Sequence, residues 1–132
     1  MSRVLSKASP GNRLRWLPYL FAAGAVFWLI ELTQFAAVVA APAGRDQLRQ
    51  ALVTAGITNV NTMLTVEVVI LAALEVAAVA LHGAAYYGLR AYRAWGWVVA
   101  VVVAAAWSLL LVGIPILIFL LRRPTRQAYG IS

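Results

Sequence analysis

The residues best placed to do chemistry are ionisable side chains inside long apolar stretches. Three of the four acidic residues, Glu31, Glu67 and Glu75, lie in such stretches. A charged group at mid-bilayer costs about 2.5–3.5 kcal/mol on insertion scales, so it must meet a partner or be protonated. Glu31 and Glu75 are therefore candidates for a proton or cation site. The alternative is a neutral carboxylic acid that forms a hydrogen bond between helices.

Polar side chains of the second apolar stretch fall on one helical stripe. At about 100° per residue, His82, Tyr86 and Arg93 each lie within roughly 20° of Glu75. The opposite side carries small residues, whose spacing allows close contact between membrane helices. This predicted packing face consists of Ala73, Ala77, Ala80, Ala84 and Gly88. We therefore expect this helix to lie between neighbours rather than in lipid.

The chain has a single histidine, His82. An imidazole in a membrane helix can serve as an axial ligand of haem or a chlorin. The alternative is a structural histidine, hydrogen-bonded to Glu75 or to a neighbouring carbonyl. Apart from a haem or chlorin at His82, the sequence predicts no cofactor and no metal site.

Catalytic signatures are absent from the sequence. It contains no cysteine, no nucleophile elbow, no zinc-spaced histidine pair and no phosphate-binding glycine loop. We therefore predict no catalytic residues and a protein that is not an enzyme. The net charge of +7 does not indicate nucleic-acid binding, because the arginines flank apolar blocks, where anionic lipid headgroups attract them.

The distribution of apolar residues predicts an all-α integral membrane protein with one membrane domain, residues 1–132. Hydrophobic residues make up 64% of the chain, above the ~45–50% of soluble domains. They form three predicted spans at about 16–41, 63–89 and 95–121. Pro115, after Gly113, predicts a kink in the third. The first apolar stretch has about 26 residues, whereas the apolar region of a cleavable signal peptide has roughly 7–15. We therefore predict a retained span, with a cleaved signal peptide as the alternative.

Residues 45–55, between the first two spans, predict a short amphipathic helix in the membrane interface. Leu48, Ala51, Leu52 and Ala55 recur on one helical face. Gly56 is a candidate C-cap. An ordinary polar loop is the alternative.

Three spans place the amino-terminal tail and the connector at 90–94 on one side of the membrane. That side carries six cations and the other carries five, so the positive-inside rule gives only a weak preference for which side is cytoplasmic. Because the first helix usually dominates, we expect a multi-pass protein with its amino terminus in the cytoplasm and its carboxyl terminus outside.

Two segments carry a resemblance. In residues 87–97, a span ends in Tyr-Gly-Leu and a short connector with Arg and Trp follows. Residues 120–130 combine Leu-Arg-Arg-Pro with a late Tyr. Together they resemble small uncharacterised bacterial multi-span membrane proteins over about the last 50 residues. The resemblance implies no activity. Those proteins often have four spans, which would put the arginine-rich tail inside.

These features predict a non-enzymatic accessory or assembly subunit of a larger bacterial membrane complex, with respiratory and photosynthetic complexes as sub-cases. The expected partners are other membrane subunits and the lipid bilayer, not nucleic acid. Two alternatives stay open. One is a small oligomeric transporter or channel that uses Glu31 and Glu75. The other is a haem- or pigment-binding anchor that uses His82.

Overall fold

The computed structural model describes residues 14–109 and 113–131, and every regular element among them is helical. The tail cations Arg3, Lys7 and Arg13, and residues 110–112 of the predicted third span, lie outside the described residues. The helices are α1 (Leu17–Ala40), α2 (Pro42–Thr54), α3 (Val60–Arg90), α4 (Ala94–Ser108), α5 (Gly113–Leu121) and α6 (Arg123–Ala128).

Two of the helices, α1 and α3, are long and apolar enough to cross a membrane. Their 24 and 31 residues correspond to about 36 and 46 Å, beyond the ~30 Å hydrocarbon core. In the most apolar 18-residue segment of each helix, the chain itself buries 0% of the residues in α1 and 6% in α3. They are therefore not core helices of the kind that a soluble protein covers with its own residues.

The segment predicted as an interfacial helix is helical, as α2. It starts earlier than expected, because Pro42 takes a first-turn position where its missing N–H costs no hydrogen bond. Gly44 lies so close to Val38 that a side chain there would overlap its carbonyl group. Gly56, with φ +79°, ends the helix as predicted, and Ile57 N–H donates to Leu52 O at 3.1 Å.

A third span is not confirmed. In place of one kinked helix over 95–121, the structure has two shorter helices, α4 and α5, that pack antiparallel. Gly113, at the start of α5, contacts the backbone of Ala104 and Ser108 near the end of α4. At the other end of the pair, Trp97 Nε1 donates to Leu120 O at 3.0 Å. Pro115 thus follows a chain reversal. The lengths of α4 and α5 are about 22 and 13 Å, so neither helix is long enough to cross the ~30 Å hydrocarbon core.

The chain divides into two compact units. We call Met1–Ala22 with His82–Ser132 the terminal unit, and Ala23–Leu81 the central unit. Every buried hydrophobic residue among those described belongs to the terminal unit: Leu14, Leu17, Phe21, Ala85, Leu89, Ala100, Val103, Ala104, Leu120 and Tyr129. The described residues of the central unit thus form no hydrophobic core of their own.

The segment after α5 continues as α6 and packs within the terminal unit. Its following residue, Tyr129, is 2% exposed and stacks on Tyr92 of the α3–α4 connector, with ring centroids 5.6 Å apart. Burial raises the pKa of Tyr129 to about 12, because the neutral phenol is favoured away from water. No local sequence pattern predicted a helix in this segment.

Candidate functional site

His82 is buried in the terminal unit between aromatic rings from two other helices. Trp107 of α4 donates from Nε1 to His82 Nε2 at 2.9 Å, and the two rings meet edge-on at 88°. Phe21 of α1 lies on another side, with ring centroids 6.3 Å apart. In this hydrogen bond the Nε2 lone pair of His82 is the acceptor.

This hydrogen bond bears on the pigment hypothesis. The lone pair of Nε2 that would ligate a metal centre is the one that accepts from Trp107. Axial ligation through Nε2 would therefore require loss of that bond. Sequence reasoning predicted Glu75 or a carbonyl as the partner of His82 and missed Trp107. An indole N–H inside an apolar helix, which needs an acceptor when buried, was the available signal.

The central unit holds all four acidic residues of the chain. Glu31, Glu67 and Glu75 are half-buried, and Glu75 lies at the midpoint of α3. The Oε2 atoms of Glu67 and Glu75 are buried and accept no hydrogen bond from the described residues. No group of three or more potential metal ligands occurs in the described part of the chain.

The stripe predicted on the second span is divided between the two units. Glu75 belongs to the central unit, whereas His82, Tyr86 and Arg93 belong to the terminal unit. The Tyr86 hydroxyl accepts from Arg90 at 2.7 Å, and the Arg90 guanidinium lies 5.9 Å from the Tyr86 ring. Arg93 is exposed at the N-cap of α4. His82 and Tyr86 thus have different partners.

The predicted small-residue face also has two environments. Gly88 is buried against Gly96 of α4, so its close contact is formed within the terminal unit. Ala84 is half-buried. In the central unit, Ala73, Ala77 and Ala80 are exposed. Three of the five residues of this face are therefore not covered by the described part of the chain.

Comparison with known proteins adds no relative. No protein-family model matches the chain, and neither the curated proteins nor the solved structures give a significant match.

The described residues offer binding chemistry. They include an apolar surface, two carboxyl groups with buried acceptor atoms (Glu67 and Glu75), and exposed arginines. The central unit combines the first two on α3, and it is the candidate site for the function proposed below.

Proposed function

We propose that this chain is a non-enzymatic accessory or assembly subunit of a larger membrane complex, anchored by α1 and α3. The observation that carries the proposal is that Glu67 and Glu75 present buried carboxyl oxygens, with no donor among the described residues, on a helix whose apolar surface is exposed. A second membrane helix with a donor side chain would complete both features.

The apolar side chains of the central unit are widely exposed. Val26 is 57% exposed, and Val69 and Leu74 are each 61% exposed. Contiguous exposed apolar surface indicates a membrane or a protein partner. Because the described residues of this unit form no hydrophobic core, an external apolar environment must cover them.

The carboxyl group of Glu75 favours protein over lipid as the cover. Lipid tails satisfy the apolar side chains but supply no hydrogen-bond donor at the middle of α3. A helix from another subunit supplies both. On the opposite side of α3, exposed Ala73, Ala77 and Ala80 would let a further helix of the complex approach closely, as small residues do between membrane helices.

The proposal predicts that Ala80→Leu weakens the complex. A bulky side chain on the small face separates the helix backbones, and overpacking of this kind costs about 1–3 kcal/mol, or roughly a 5- to 150-fold loss of affinity. The measurement is the amount of partner that co-purifies from membranes in mild detergent. Thr65→Leu is the matched control, since it adds bulk to an exposed residue of α3 that lies roughly 60–120° around the helix from the alanines and about 80° or more from Glu67 and Glu75.

Equal recovery of partners with Ala80→Leu and with the unaltered chain would place the alanine face in lipid and contradict the proposal. Isolation of the unaltered chain without any partner would also contradict it. The visible absorption of the same preparation tests the pigment alternative, because a haem or chlorin at His82 requires a visible band that His82→Ala abolishes.

A small oligomeric transporter or channel is the second candidate, favoured by the same buried carboxyl oxygens. Glu75→Gln separates the two functions. The amide keeps the shape and an acceptor, so an interhelical hydrogen bond changes by only about 0.6 kcal/mol and assembly survives. A transport role for Glu75 instead predicts complete loss of proton or cation flux into proteoliposomes, because glutamine cannot ionise.

We also propose that both termini lie on the cytoplasmic side. Trp16 contacts Phe119 at 5.2 Å between ring centroids, and Tyr92 stacks on Tyr129. The start of α1, the connector after α3 and the end of α5 therefore meet at one end of the terminal unit. Six of the eight cations among the described residues adjoin these segments in the sequence, and the other two, Arg45 and Arg49, lie between α1 and α3. Such an asymmetry favours that end as cytoplasmic.

A further inference from the structure

A basic cavity of about 230 Å³ opens at one end of the terminal unit. The start of α1 and the end of α3 with its connector form the walls, which are Arg15, Pro18, Tyr19, Leu89, Arg90 and Tyr92. Arg90 is in the last turn of α3, and Arg15 lies just before α1. The cavity thus lies where the two apolar helices reach the headgroup region in the proposed membrane orientation.

The two arginines have no anionic side chain in their own unit. The terminal unit contains no aspartate or glutamate, whereas it carries nine of the eleven cations. The only ion pair among the described residues joins Arg49 to Asp46 in the central unit, at 3.5 Å. A counterion for Arg15 and Arg90 is therefore expected to come from another molecule.

The Arg90 guanidinium is positioned by one hydrogen bond and has further donors for a ligand. One nitrogen donates to the Tyr86 hydroxyl at 2.7 Å, and the Tyr86 ring in turn lies 6.3 Å from the Tyr19 ring. The guanidinium has further N–H donors, which form a planar fork suited to two oxygens of a phosphate. Arg15 is exposed and forms no ion pair with the described residues. This arrangement favours a phosphate group between two cations.

We propose that this cavity binds the phosphate group of an anionic phospholipid headgroup. The volume suits a headgroup rather than acyl chains, and the neighbouring apolar surface of α1 and α3 is where the chains would lie. Basic pockets between membrane helices on the cytoplasmic side bind anionic headgroups by this chemistry. Free inorganic phosphate offers the same oxygens, so the test separates the two sources. The inference rests on the proposed function only in requiring membrane insertion.

The test measures lipid retained by the purified full chain, by native mass spectrometry from micelles doped with phosphatidylglycerol or phosphatidylcholine. We expect selective retention of phosphatidylglycerol, and about a tenfold loss for Arg15→Gln and for Arg90→Gln, since each removes a charge-assisted contact. Arg90→Lys should give an intermediate loss, because lysine keeps the charge without the planar fork. Arg122→Gln is the matched control, since Arg122 is exposed in the same unit but does not line the cavity.

Three results would overturn the proposal. One is equal retention of both lipids, and a second is equal loss with Arg122→Gln and Arg15→Gln, which would indicate diffuse charge. The third is displacement of the lipid by millimolar inorganic phosphate that itself binds with the same arginine dependence, which would assign the cavity to a soluble phosphate. Because the Arg15 side chain is exposed, its variant stays informative if Arg90→Gln misfolds. Partner recovery, measured separately, shows whether the subunit proposal fails independently.

Discussion

Gly88→Ala should destabilise the terminal unit by about 3 kcal/mol, because an added methyl group has no space. A Cβ at Gly88 would overlap Gly96 Cα and come within 3.0 Å of Gly96 N and Trp95 Cζ3. Two of these atoms are backbone, so the α3–α4 crossing itself must open. The overlap outweighs the roughly 1 kcal/mol that alanine gains over glycine in a helix. The measurement is the free energy of unfolding in detergent, followed by tryptophan fluorescence.

Gly83→Ala provides the control on the same helix. A Cβ at Gly83 has no neighbouring atom within 4 Å, so only the gain in helix propensity remains. We expect Gly83→Ala to be neutral or to stabilise by up to about 1 kcal/mol. Destabilisation of similar size at both positions would mean that the Gly88–Gly96 contact does not determine the packing.

A reporter fused after Ser132 should be found in the cytoplasm. The antiparallel α4–α5 pair returns the chain to the end at which α3 finished, and α6 stays there through the Tyr92–Tyr129 stack. In the proposed arrangement α1 and α3 each cross the membrane once, so the carboxyl terminus is expected on the same side as the amino terminus. A fluorescent-protein fusion should therefore fluoresce, while an alkaline phosphatase fusion should be inactive.

An insertion between α2 and α3 is the internal control for this topology. A phosphatase placed after Gly56, where an added Cβ would meet no atom within 4 Å, should be fully active on the outer side. An active phosphatase after Ser132 would instead restore three crossings and contradict the two-span arrangement. The two fusions together distinguish the alternatives by presence or absence of activity.

Local signals in the sequence predicted much of the helical architecture. The apolar runs predicted α1 and α3, since their length and hydrophobicity are properties of contiguous residues. The spacing of Leu48 and Leu52 and the glycine at 56 predicted α2 and its end, because capping and amphipathic periodicity are also local. These elements required no knowledge of distant contacts.

The chain reversal after α4 could not be predicted by the same means. Hydropathy is the same for a kinked span and for two antiparallel helices, and Gly113 with Pro115 suits either. The choice depends on non-local contacts, such as Trp97 with Leu120. The Trp107–His82 bond was missed for the same reason.

Tyr92 shows the same limit at the end of α3. With φ 51° it takes the left-handed position that usually favours glycine, so its residue type gives no local signal for the turn. Its stack on Tyr129 accompanies that conformation, and the two residues are far apart along the chain. The turn therefore depends on a contact that local periodicity does not encode.

The short α4–α5 pair has a consequence for the shape of the surrounding bilayer. In the orientation proposed above, both helices would enter from the cytoplasmic side, and at about 22 and 13 Å they would lie mostly in the near leaflet. We therefore expect the α4–α5 pair to add more area to the near leaflet than to the far one. Acyl chains of the far leaflet would have to fill the space beneath the pair, at a free-energy cost that rises with the difference between helix length and bilayer thickness. The chain should accordingly concentrate where the cytoplasmic leaflet is convex.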